Sequence, residues 1–155
     1  MEIGSSAFSE GGEIPRRHTQ EGEDLSPPLT WSGVPGQARS LVLIADDPDA
    51  PDPAAPTMTW VHWLVFNLPP SSTGLAEGVQ TFPPGTGHGR NDRHDTAWHG
   101  PRPPIGRHRY FFRLFALDTV LALSGQPSRA QIDAAMSDHI LARAQLMGTY
   151  QRQTR

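Results

Sequence analysis

The chain has 155 residues, no cysteine and a formal net charge of −3 with its basic residues dispersed. A disulfide framework, a thiol nucleophile and a cysteine-held metal are therefore excluded, and a nucleic-acid partner is not expected. The length suits one domain over residues 1–155, and no apolar run reaches the roughly 20 residues that a membrane-spanning helix needs. The start, MEIGSSAFSEGGE, is acidic and polar, unlike a signal peptide, and with the missing cysteines it agrees with a cytoplasmic location. Sixteen prolines and fifteen glycines are spread among several apolar runs, without internal repeat or low-complexity tail, which reads as an ordered, loop-rich β protein.

In chain order, Ala7 to Ser9 and Leu29 to Ser32 read as short edge strands. SLVLIADD, Ser40 to Asp47, is the first central strand and Thr59 to Leu68 the second. RHRYFFRLFALD, Arg107 to Asp118, is the third. Each is rich in leucine, β-branched or aromatic residues and is bounded by proline or glycine. Between Gly74 and Pro104 periodicity fades, and the segment reads as long loops laid over a sheet. Ser128 is placed to N-cap a helix with Gln131 completing a capping box, and Ile132, Ala135 and Met136 form its apolar face. The helix is expected to end near Asp138. From Ile140 the period is two, with Ile140, Ala142, Ala144, Leu146, Gly148 and Tyr150 on one side, so a last strand is expected there.

Alternation places the polar groups. Leu41, Leu43, Ala45 and Asp47 share one face of the first strand. Trp60, His62, Leu64, Phe66 and Leu68 share one face of the second. His108, Tyr110, Phe112, Leu114 and Ala116 share one face of the third. Each strand thus carries an apolar stripe with one ionisable group toward its end: Asp47, His62 or His108. A single histidine in a strand is most often a core residue satisfied by a backbone carbonyl, and DPDAP is good turn chemistry for Asp47. Spacing alone leaves these structural readings level with a shared site.

Three uses are open to such a site. Two imidazoles, helped by loop N–H groups near Gly100, would donate to a phosphate, sulfate or carboxylate. One aspartate and two histidines also make a plausible metal shell. His62 or His108 would alternatively serve as general base of a hydrolase or lyase, metal-assisted or not. No serine stands in a nucleophile elbow and no glycine-rich phosphate loop is present, so the binding reading is favoured, with no cofactor and no resident metal. If both rings are neutral at pH 7, anion affinity should rise as pH falls toward about 6.

Several ordered blocks carry a resemblance. GEDLSPPLTWSGVP (Gly22 to Pro35), ADDPDAP (Ala45 to Pro51), TWVHWLVFNLP (Thr59 to Pro69), GPRPPIGRHRYFFRLFALD (Gly100 to Asp118) and the closing LMGTYQR are together similar to the phosphatidylethanolamine-binding proteins. The bacterial, Raf-kinase-inhibitor-like branch is the best match. The resemblance implies a mainly β fold, a large antiparallel sheet packed with a smaller sheet and few peripheral helices. It implies a pocket for phosphate-like anions and phospholipid head groups, made here by Asp47, Pro51, Trp60, His62, Gly100, His108 and Tyr110. It also implies a homodimer, and a protein partner such as a kinase on the pattern of animal relatives.

Departures from the family pattern are Arg102, where a small residue or cysteine is common, and Ala97 and His99, where glycine is common. The loop Asp52 to Thr59 is longer than usual. Arg102 is expected to face solvent. His88, His94 and His99 read as loop residues. Asp49 and Arg109 are expected to form a buried ion pair tying the DPDAP loop to the third central strand.

Overall fold

The structure, a computed structural model, describes residues 1–153. It is built from two antiparallel sheets and one short α-helix. The large sheet contains β3 (Ser40–Ala50), β4 (Met58–Leu68), β6 (Gly87–His88), β7 (Arg107–Leu117) and β8 (Ile140–Gln151), in the order β6-β4-β3-β7-β8. The small sheet runs β1-β2-β5, from β1 (Glu2–Gly4), β2 (Leu29–Ser32) and β5 (Gly74–Leu75). The three apolar runs are indeed adjacent central strands, because each is apolar on both faces and both faces are covered.

The inner face of the large sheet packs against the small one. Leu41, Leu43 and Ala45 of β3 and Phe112, Leu114 and Ala116 of β7 meet Leu29 and Trp31 of β2 in one core. On the outer face, Val42, Ile44, Leu64 and Phe66 are covered by Ile132 and Met136 of α1 (Arg129–Met136). The helix starts as its sequence dictates. The Ser128 hydroxyl accepts from the Gln131 N–H at 3.1 Å, and the Gln131 side chain accepts from the Ser128 N–H at 2.9 Å. It ends at Met136, two residues before Asp138, and Asp138 takes a left-handed φ of 68° that turns the chain into β8.

Two expectations are corrected. Residues 7–9 form no strand. Phe8 is instead a buried anchor beside Phe112, with ring centroids 5.8 Å apart. The strand pairing along the chain's start is made by Glu2–Gly4 with β2. Residues 11–14 exchange backbone bonds with Met147 and Thr149 of β8.

The second correction concerns β4, whose alternation is not strict. Ala45 faces Trp63, yet the next residue, Asp46, faces Val61, so His62 is the extra residue of a β-bulge. A further register shift lies between the pairs Leu41↔Leu68 and Leu43↔Val65, where Asn67 adopts a φ of 57°. Asn67 is held there by bonds to the N–H and C=O of Leu121, each 2.9 Å. The two interruptions split the expected stripe. Leu64 and Phe66 join the outer core, while Trp63, Val65 and Leu68 join the inner one. The β7 stripe has no bulge against β3, and His108, Tyr110, Phe112, Leu114 and Ala116 are all buried as expected.

Candidate functional site

The inner ends of β3, β4 and β7 open on a cavity of about 330 Å³. Asp47, Pro51, Trp60, His62, His108 and Tyr110 line it together, although they come from three strands and a loop. The bulge makes this possible: without the extra residue, His62 would follow the alternation of Leu64 to the outer face. Pro51 follows a cis Ala50–Pro51 bond.

Gly100, the seventh expected residue, does not line the cavity. Its N–H donates to Asp24 Oδ1 at 2.8 Å, so it is not a free donor, and its carbonyl accepts from Gln20 Nε2 at 2.9 Å. A Cβ here would lie 2.2 Å from the His18 carbonyl oxygen and 2.5 Å from Asp24 Oδ1, which explains the glycine by close approach. Gly100 therefore positions the wall that carries Gln20.

His108 is fully engaged. Its Nδ1 lies 2.6 Å from Asp47 Oδ2 and its Nε2 lies 2.8 Å from the Ile105 carbonyl oxygen. A neutral imidazole donates one bond only. Both contacts are satisfied when the ring carries two protons beside an ionised Asp47, or when Asp47 supplies the proton shared with Nδ1. In either state no ring nitrogen of His108 is left for a ligand. Burial pushes the Asp47 carboxyl up, against the lowering effect of its bond from His108. Asp47 Oδ1 accepts from the Asp49 N–H at 2.7 Å.

His62 is poised differently. Its Nδ1–H donates to the His99 carbonyl at 2.5 Å, which leaves Nε2 as an acceptor without a partner among the described residues. Burial lowers its pKa to about 4, so the ring is neutral at pH 7. The expectation of two imidazole donors is thus replaced by one imidazole acceptor. The pH at which His62 gains charge moves from about 6 to about 4.

Donors come from elsewhere. The Tyr110 hydroxyl has no partner among the described residues, and burial, helped by Asp47 and Asp49, holds the phenol well above its usual range and therefore protonated. Its ring packs edge-on to His62 at 5.4 Å and along His108 at 6.3 Å. Arg102 is exposed, as expected, and it also lines the cavity, without a carboxylate partner among the described residues. Arg93 and Gln20 line the same wall, joined by a 3.0 Å bond from Arg93 Nη1 to Gln20 Oε1. Sequence reasoning missed both. They belong to separate loops without periodicity, and only the fold places them at one opening.

Asp49 and Arg109 do pair, through two guanidinium bonds of 2.9 Å and a third from the Arg109 N–H. The pair is only half buried, since the Arg109 side chain is 51% exposed. Alternation aims Arg109 away from His108 and so out of the core. Its bonds to Asp49 hold that carboxyl below the usual carboxylate range. His88 and His94 do not line this cavity, and His99 contributes its carbonyl to His62 while its ring binds Asp95 at 2.7 Å. Among the described residues no group of three or more acidic or histidine side chains is arranged to hold a metal ion.

This fold and this cavity define a class. The chain belongs to the phosphatidylethanolamine-binding protein family, whose model matches residues 4–151. It is 50% identical over 155 residues to a UPF0098 protein of Methanothermobacter thermautotrophicus, covering 98% of this chain and 99% of that one. Over 152 residues it is 45% identical to a UPF0098 protein of Chlamydia pneumoniae, with 98% and 99% of the chains covered. The crystal structure of a putative phosphatidylethanolamine-binding protein homologue from Chlamydia trachomatis superposes with a TM-score of 0.90 at 42% identity, over 98% of this chain and 97% of that one. Escherichia coli YbcL superposes with a TM-score of 0.86 at 30% identity, over 98% of each chain. No helix among the described residues is long and apolar enough to cross a membrane.

Proposed function

We propose that this chain is a non-enzymatic binding protein whose cavity takes phosphate or a phosphorylated head group. The carrying observation is the division of labour in the cavity: two arginines at its opening, a neutral tyrosine hydroxyl inside, and one unprotonated imidazole nitrogen. The guanidiniums attract and hold the oxyanion, and the Tyr110 hydroxyl donates to one of its oxygens. His62 Nε2 accepts from a phosphate hydroxyl or from an ammonium group on the head group. His108 and Asp47 neutralise each other and shape the floor. The general-base alternative is weaker on the same grounds. A His62 of pKa about 4 is a poor proton acceptor at neutral pH, and both nitrogens of His108 are occupied. The family resemblance adds a homodimer, a cytoplasmic location and a regulated protein partner to the proposal, and sedimentation of the purified chain tests the first of these.

Titration with inorganic phosphate and with phosphoethanolamine, followed by the ring signals of His62 and Tyr110, tests the binding reading. Saturable shifts are expected, with affinity about tenfold weaker in Arg102→Ala, the usual effect of losing a charge-assisted bond. Because His62 titrates near pH 4, the protein's own contribution to affinity should be level between pH 8 and about 5.5. Rings that stay silent in a folded sample would remove the proposal.

A further inference from the structure

A second cavity, of about 440 Å³, lies on the opposite, outer face of the large sheet. Its wall carries Arg113, Arg129 and Arg143, with Phe115 and Gln145, and no acidic residue. The sheet register assembles it. Arg113 pairs with Gln145 and Phe115 with Arg143 across β7 and β8, so all four side chains share one face, and Arg129 enters from the first turn of α1.

The cations are held in place from beneath. Asp46 is 1% exposed and takes Arg113 through both of its oxygens, at 2.9 and 3.1 Å. It also takes Arg129 Nη1 at 2.9 Å. The Arg113 guanidinium lies 4.4 Å from the centre of the Phe111 ring. One buried carboxylate thus fixes two guanidiniums, and Arg113 Nη1 also donates to Gln145 Oε1 at 3.3 Å, which leaves the outward N–H bonds of Arg113 and the Nη2 group of Arg129 toward the hollow. Asp133 adds a 3.2 Å contact to Arg129, but its side chain is 51% exposed and the contact is correspondingly screened. Arg143 is exposed and has no carboxylate partner among the described residues. Three guanidiniums therefore stand around one hollow with two carboxylates nearby, and both of these are already bonded to arginine.

Arginine forks match tetrahedral oxyanions, and fixing them in advance lowers the entropic cost of binding. Phe115 offers an apolar surface beside the three cations. The geometry points to a second oxyanion site on this face, separate from the inner cavity, that takes a phosphate monoester with an apolar or aromatic substituent.

Phenyl phosphate titrated into isotope-labelled protein provides the test. The backbone amides of Ala144 and Gln145 should move saturably. Sodium chloride at matched ionic strength should not reproduce the movement. In Arg143→Ala, a variant that removes an exposed side chain without a carboxylate partner, the affinity read at these amides should fall at least about tenfold. Arg102→Ala, which alters only the inner cavity, should leave them as in the wild type. Amides that stay in place, that follow chloride equally, or that titrate identically in Arg143→Ala would overturn the site.

Discussion

Asp46 and Asp47 are neighbours in β3, both carboxylates, and 1% and 3% exposed. The pleat sends them to opposite faces of the sheet, and there they become different devices. Asp47 faces the His108 imidazole, whose Nδ1 shares a proton with it at 2.6 Å, and burial raises the Asp47 pKa. Asp46 faces Arg113 and Arg129, whose charges are permanent over any physiological pH. The inner carboxylate thus belongs to a proton-sharing pair in the wall of a cavity. The outer one is a fixed anchor that holds two cations. Residue type and burial are the same; the partner's chemistry decides the role.

The comparison breaks most visibly at the anchor. Asp46→Ala leaves Arg113 and Arg129 without their shared counter-charge. Because the two guanidinium side chains are each 27% exposed, the loss should fall at the low end of the range for a broken buried pair, about 3 kcal/mol in denaturant unfolding. An Asp46→Ala protein as stable as the wild type would mean that the arginines find water as good a partner.

The inner face is tested through pH. His62 is protonated near 6.5 when unfolded and near 4 when folded. The unfolded chain therefore binds the extra proton first, and stability falls as pH drops from 6.5 to 4. That fall from 6.5 to about 4 corresponds to about 3 kcal/mol, fully lost only below pH 4. Asp47, raised by burial, and Asp49, lowered by its bonds from Arg109, also contribute to the acid limb, with opposite signs. The measurement is accordingly the acid limb of wild type minus that of His62→Gln. Parallel limbs would contradict the burial of the His62 ring.

The smallest effect sharpens the contrast. Arg109→Ala removes the two guanidinium bonds to Asp49 and keeps the backbone one; because the arginine is half in water, the cost should be about 1 kcal/mol, and smaller still in high salt. A loss as large as that of Asp46→Ala would show that bond count outweighs burial.

Much of this arrangement was legible along the chain. The strand runs, the capping box at Ser128 and Gln131, and the change to a period of two at Ile140 each state a local preference that the fold keeps. His108 and Tyr110 were correctly assigned to one face because β7 pairs with β8 without interruption from Arg107 to Ala116. His62 reached the cavity for a reason alternation did not contain. A bulge is a mismatch between two strands, so it has no signature in one of them, and the rest of the expected β4 stripe divided between the two cores. Phe8 was misread because three apolar or small residues look alike in an edge strand and in a buried anchor.

The sequence by itself determined the long central strands and the last one, where the helix begins and which family pattern the blocks follow, because these depend on local propensity and on side chains close in sequence. Only the tertiary structure decided that both nitrogens of His108 are taken, that His62 offers a lone pair instead of a proton, and that Arg93, Gln20 and Arg102 meet at one opening. Those properties belong to contacts between distant segments, where burial and the nearest partner fix which atoms remain free.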